Sequence, residues 1–176
     1  MANVTSGNTI KVLVDRTETI ASTVTKSKTV ILDLNGKTVT LNGVTLKVNG
    51  ALKITGEGTL TGSGANTVTN NGTFRKIDDS TIKNTSTSNY CAIKNTGTAT
   101  IERGTISGEY RAIETSGTQT LTLTGGETSI TAKNCAVFNK GTANTTSVPA
   151  VKIGNVKLIE STDSVSVYNN ASGLVY

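Results

Sequence analysis

Aliphatic residues along this chain recur at short, even steps and alternate with polar ones. Written in register, residues 46–62, 68–83, 93–108, 113–131, 137–159 and 167–173 share one order: an aliphatic start, an Asn-rich turn, a second aliphatic, a corner rich in Gly or Asp, and a third aliphatic. Three apolar columns follow. The first is Ile20, Leu46, Val68, Ile93, Ile113, Val137 and Val167; the second is Leu34, Ile54, Ile77, Ile101, Leu123 and Ile153; the third is Val39, Leu60, Ile82, Ile106, Ile130 and Leu158. The repeat is about 24 residues, a unit too short to bury its own apolar face, whereas stacked units share one continuous core. The pattern predicts an all-β parallel β-helix of about six coils, with three short strands per coil and about 4.8 Å between neighbouring coils. No window carries the i, i+3, i+4, i+7 apolar spacing of a helix.

Two residues after each first-column aliphatic stand Val48, Asn70, Asn95, Thr115, Asn139 and Asn169. Strand alternation points that position inward. Stacked Asn side chains there are expected to bond from coil to coil as a ladder. The chain reads as a single domain, with residues 1–30 forming an N-terminal capping region and the opening of the first coil, and residues 31–176 the repeats. Ile10–Val14 is expected to cover the first coil as an extra strand. Ala171–Tyr176 shows no polar cap, so the final coil is expected to continue or to self-associate through its open strand edges.

Composition agrees with this reading. The 176 residues include 34 Thr, 18 Gly and 17 Asn, but no Trp and only two Phe. Thr favours strands, Gly and Asn favour tight turns, and the core must be built from stacked aliphatics. The net charge of +5 is scattered and mixed with acids, as on a solvated surface. No nucleic-acid-binding motif accompanies it, so no nucleic-acid partner is expected. Residues 1–6 have neither the charged start nor the apolar run of a signal peptide, and no apolar run is long enough to insert in a membrane.

The segments Val30–Thr40, containing Leu32-Asp33-Leu34-Asn35-Gly36-Lys37-Thr38, and Gly97–Gly108 resemble the repeats of pectate-lyase-like β-helix proteins. They are most similar to those in large bacterial surface proteins, and the resemblance covers about residues 10 to 176. It implies right-handed winding and a location outside the cell, on the cell surface or in a virion. It leaves activity open, because this superfamily includes lyases, hydrolases, adhesins and phage tail proteins.

Candidate chemistry is sparse. Without any His, a polygalacturonase-like Gly-His-Gly site is excluded, a structural zinc is not expected, and a catalytic Cys would lack its base. Cys91 and Cys135 fall at equivalent positions two coils apart, with Arg111 between them. That separation of about 9.6 Å exceeds disulfide reach, so two free thiols are expected. The remaining acid cluster is Asp78, Asp79 and Glu102. Placing Ile77 level with Ile101 puts Asp78 beside Glu102, close enough to share a proton, to act as an acid and nucleophile pair, or to bind calcium, the one cofactor the resemblance would bring. Asp79 level with Arg103, and Arg75 and Lys76 nearby, give the competing account of a surface ion-pair network.

Two other surfaces stand out. Tyr90, Tyr110 and Tyr168 are the candidate residues for a glycan. The pairs Thr38/Thr40, Thr59/Thr61, Thr81/Lys83, Thr105/Ser107, Ser129/Thr131 and Lys157/Ile159 flank the third column, an array like that of some ice-binding β-solenoids. The expected function is a non-catalytic structural or binding module of an extracellular adhesin-type or phage tail assembly. A polysaccharide lyase or glycoside hydrolase is the alternative, and ice binding the minor one.

Overall fold

The computed structural model describes residues 6–143, 145 and 149–176. Its described elements are 21 strands and no helix. Each coil lays down one strand in each of three parallel seven-stranded sheets. The first sheet stacks β1 (Thr9–Lys11), β4 (Thr29–Asp33), β7 (Ala51–Thr55), β10 (Thr73–Lys76), β13 (Thr98–Ile101), β16 (Leu121–Leu123) and β19 (Val151–Ile153). The second stacks β2 (Arg16–Glu18), β5 (Lys37–Asn42), β8 (Gly58–Ser63), β11 (Thr81–Asn84), β14 (Gly104–Gly108), β17 (Thr128–Ala132) and β20 (Leu158–Ser161). The third stacks β3 (Ser22–Val24), β6 (Leu46–Val48), β9 (Val68–Asn70), β12 (Cys91–Asn95), β15 (Arg111–Gly117), β18 (Cys135–Gly141) and β21 (Val167–Asn169). Seven strands per sheet are separated by six steps, the expected parallel β-helix.

Stacked columns of buried side chains from all three sheets fill the interior. The first sheet supplies a further one beyond the three expected, Val30, Leu52, Phe74, Ala99, Leu121 and Val151, beside the column of Leu32, Ile54, Ile101 and Leu123. Leu60, Ile82, Ile106 and Ile130 stack in the second sheet and Val68, Ile93, Ile113 and Val137 in the third, all fully buried. Burying each such side chain is worth about 1.5–3 kcal/mol, and with so few aromatics these columns are the core.

The register corrects four column positions. Ile20 is 78% exposed, and Ser22 takes its place beside Leu46. Leu32, not Leu34, pairs with Ile54, while Leu34 is buried at the corner beyond the strand. Ile159, not Leu158, stands beside Ile130. Lys76, not Ile77, stands between Ile54 and Ile101, and it is fully buried. In each case an apolar neighbour one or two residues away mimics the column, and backbone pairing decides between them.

The polar column stands as expected: Val48, Asn70, Asn95, Thr115, Asn139 and Asn169 pair in order. Asn70 Nδ2 donates to Asn95 Oδ1 at 2.7 Å, Asn95 Nδ2 to Thr115 Oγ1 at 3.1 Å, and Asn139 Nδ2 to Asn169 Oδ1 at 2.7 Å. The side-chain oxygens of the donors close the turn, since Gly72 N donates to Asn70 Oδ1 and Gly141 N to Asn139 Oδ1. An extra strand does pair with β4, but it spans Thr9–Lys11 and takes in only Ile10 and Lys11 of the expected Ile10–Val14, while Leu13 and Val14 are exposed. At the other end, Val175 bridges to Val151, and Tyr176 N donates to Val151 O.

Candidate functional site

The acid cluster lies on the outer surface where the first sheet turns into the second. Because Lys76 is level with Ile101, the residue opposite Glu102 is Ile77, and Asp78 is displaced one position along. The expected Asp78–Glu102 equivalence therefore does not hold. Between the paired positions Lys76/Ile101 and Thr81/Thr105 four residues turn the corner in one coil and three in the next, so the acids are staggered.

Every acid in the cluster has a protein partner. Glu102 is held by Arg75, with Nη2 donating to Oε2 at 3.0 Å and Nε to Oε1. Arg103 Nε donates to Asp79 Oδ1 at 2.6 Å, and this guanidinium holds the Asp79 carboxyl below its usual range. Asp78 Oδ2 accepts from Gly56 N at 2.8 Å. Beneath them, the Lys76 ammonium donates to the carbonyls of Asp78 at 2.8 Å and Arg103 at 2.5 Å. Burial lowers its pKa to about 8, and the Asp79 and Asp78 charges oppose that shift. Glu102 and Asp79 are thus ion-paired, and Asp78 is held by a backbone amide. Among the described residues, no group of three or more His, Cys, Asp or Glu is arranged to hold a metal ion.

The tyrosines separate into two places. Tyr90 and Tyr110 precede Cys91 and Arg111, which pair, so they occupy equivalent corners of adjacent coils. Tyr168 is on β21, level with Phe138, and their rings stack with centroids 5.2 Å apart. Arg111 joins the two places. Its guanidinium lies 3.8 Å from the Phe138 ring centroid and 4.8 Å from that of Tyr110, within cation–π range. Arg111 Nη1 donates to Glu114 Oε2 at 2.6 Å, and Lys140 Nζ lies 3.5 Å from Glu114 Oε1.

Of this ladder, the sequence reading named Tyr110 and Tyr168 but missed Phe138, Arg111 and Glu114. The signal was present: Val137-Phe138-Asn139 and Val167-Tyr168-Asn169 superpose residue for residue, which places both rings on the outer face.

Cys91 and Cys135 are free and buried, one on each side of Arg111. Burial pushes the Cys91 thiol up to about 12 and also raises that of Cys135. The threonine ranks are in register: Thr38, Thr59, Thr81, Thr105 and Ser129 form one, and Thr17, Thr40, Thr61, Lys83, Ser107 and Thr131 the other. At the final coil the pair is Leu158/Glu160, a correction of Lys157/Ile159 that follows from the shift at Ile159.

Two of the openings at these surfaces bear on binding. One, of about 500 Å³, is the N-terminal mouth of the core, walled by Ile10, Leu32, Val39 and Leu46 and rimmed by the Arg16–Glu18 pair. The other, of about 240 Å³, lies against Phe138 and Tyr168. No family model, curated protein or solved structure matches the chain.

Proposed function

We propose that this protein is a non-catalytic β-solenoid module: a rigid spacer that carries a glycan-binding surface in an extracellular adhesin-type or phage tail assembly. Pectate-lyase-like ancestry and a location on a cell surface or virion are part of the same proposal. The observation that carries it is the engagement of all three candidate acids, Glu102 by Arg75, Asp79 by Arg103 and Asp78 by the Gly56 amide. Activating a water or protonating a glycosidic oxygen requires a carboxyl group free to exchange protons with substrate. The Tyr110–Arg111–Phe138–Tyr168 ladder supports the binding half of the reading, because it holds the Tyr168 ring, 43% exposed, stacked in place on buried Phe138, and an exposed, fixed aromatic ring suits a sugar ring.

The test pairs two measurements. Incubation with neutral and acidic polysaccharides is expected to release no reducing or unsaturated ends, and a glycan array is expected to show retention of the chain. Turnover abolished by Asp78→Asn or Glu102→Gln would overturn the non-catalytic reading in favour of a lyase or hydrolase.

One further observation favours a second reading. The two hydroxyl ranks on the second sheet run without a bulge from β5 to β17, with Lys83 the one residue lacking a hydroxyl and Ser107 and Ser129 lacking the threonine methyl. Such a regular face suits ordered water, and ice binding would follow. Thermal hysteresis lost on Thr59→Lys and Thr105→Lys would establish it; no hysteresis in the wild-type protein removes it.

A further inference from the structure

The opening beside Phe138 and Tyr168 has a local cause. Between β14 and β15, and again between β17 and β18, four residues turn the corner from the third-column face toward the Asn ladder, counted between the paired positions Gly108/Ala132 and Ile113/Val137. In the final coil the paired positions are Ser161 and Val167, and five residues lie between them. The additional residue makes this corner stand out from the one below it. Its base stays fixed, since Thr162 N donates to Ala132 O, Asp163 N to Lys133 O, and Ser161 N to Ser166 Oγ. The result is a cleft of about 240 Å³ lined by Asn134, Cys135, Phe138, Ser164, Val165 and Tyr168.

The lining defines what fits. Two stacked rings and the half-exposed Val165 supply an apolar wall. The Asn134 amide and the Ser164 hydroxyl supply neutral donors and acceptors at the rim, and no charged side chain lines the cleft. The charges beside the Phe138 ring, Arg111, Glu114 and Lys140, are paired with one another, Glu114 accepting from Arg111 at 2.6 Å and lying 3.5 Å from Lys140 Nζ. The volume is below the roughly 300 Å³ at which sites for drug-sized ligands begin, so the cleft suits one ring. An apolar wall with a few uncharged hydrogen-bonding groups matches the alternating faces of a pyranose.

We infer that this cleft receives a single neutral pyranose unit of a glycan, with Tyr168 as the wall and Asn134 and Ser164 bonding its hydroxyls. This rests on the glycan-binding reading above and deepens it. It disfavours uronate and sulfated sugars, because no cation lines the cleft and Lys140, beside Phe138, is paired with Glu114.

The experiment titrates the chain with cellotetraose and with tetragalacturonate, read by tyrosine fluorescence and by amide NMR shifts. The expected result is saturable binding of the neutral oligosaccharide, with shifts confined to Asn134, Cys135 and the 163–168 segment. Tyr168→Ala and Asn134→Ala should each weaken it at least tenfold, while Lys47→Ala, on the exposed face of β6, leaves it unchanged. Circular dichroism and urea midpoints of each variant separate lost binding from lost folding. Binding of tetragalacturonate alone, or neutral binding untouched by Tyr168→Ala and Asn134→Ala, overturns this inference and leaves the glycan-binding reading standing. Absence of binding to either oligosaccharide, followed by a silent glycan array, overturns both.

Discussion

Lys76 shows how far one residue departs from its column. An aliphatic side chain would pack between Ile54 and Ile101, but the carbonyls of Asp78 and Arg103 point into the same space and need donors. The ammonium satisfies both and loses its hydration, which is why its pKa falls to about 8 from 10.5. Between these two values the unfolded chain binds more protons than the folded one, so stability rises with pH from about 8 to 10.5. The increment is about 3 kcal/mol at 1.36 kcal/mol per unit. Cys91 acts with the opposite sign: its folded pKa is raised from 9.0 to about 12, so stability falls with pH across that interval. Comparing wild type with Lys76→Met isolates the lysine. Urea midpoints from pH 7.5 to 10.5 should rise in the wild type relative to the variant; parallel curves would refute the buried ammonium.

Gly97 sets a second single-residue limit, one of space. A Cβ there would lie 2.1 Å from the carbonyl oxygen of Gly72 on the coil below, whereas a Cβ at Gly43 meets nothing within 4 Å. Gly43 does have φ +72°, which a side chain adopts only with strain. Gly97→Ala is therefore expected to cost more than about 2 kcal/mol and Gly43→Ala about 1 kcal/mol. Chemical denaturation of the two variants checks the order, and an equal loss would contradict the stacked-turn account.

At the level of elements, the third sheet depends on its inner Asn ladder. Asn95 accepts from Asn70 and donates to Thr115 in a fully buried column. Val48 occupies the same column one coil below Asn70, so an aliphatic fits the space. Asn95→Val should then cost about 1–3 kcal/mol, the penalty for leaving a buried polar partner unmatched. Asn70→Val/Asn95→Val should cost less than the sum of the two single changes, because the orphaned partner is removed as well. Additive losses in a double-mutant cycle would mean the ladder carries no coupling. This ladder was legible in the sequence because its spacing from the aliphatic start never varies. The second column was less legible. Ile77 lies next to Lys76, and only backbone pairing shows that a lysine can occupy a core position when two carbonyls require it. The same one-residue slip placed Asp78 opposite Glu102 and made a pair of acids that the fold separates. The cleft at Tyr168 could not be read from periodicity at all, since it arises from one residue added to a corner, where spacing is free to vary.

Across the whole molecule the coils are not equivalent. Each interior strand has a neighbour on both sides, but β1, β2 and β3 pair on one side only. Their inward positions are also weaker: Arg16 stands over Val39, Glu18 over Leu41 and Ser22 over Leu46. Charges at the inward positions of an edge strand discourage another strand from adding there, and they leave the mouth of the core unfilled. In the last coil Ile159 and Val167 are only partly buried, and Leu158 and Tyr168 are about two-fifths exposed. In a stack held by nearest-neighbour contacts, terminal units open without the rest. Amides of β10–β17 should therefore exchange only through global unfolding, and those of β1–β3 and β20–β21 through local openings at least tenfold more often. Hydrogen exchange followed by mass spectrometry measures this gradient; uniform protection from first coil to last would show a single cooperative unit instead. Arg16→Val with Glu18→Leu completes the second-sheet column and should slow exchange in β2. It also removes the charges that guard the edge, so light scattering should record concentration-dependent association that the wild-type chain lacks at this end. Slower exchange without association would mean that strand geometry, rather than charge, keeps the edge unpaired.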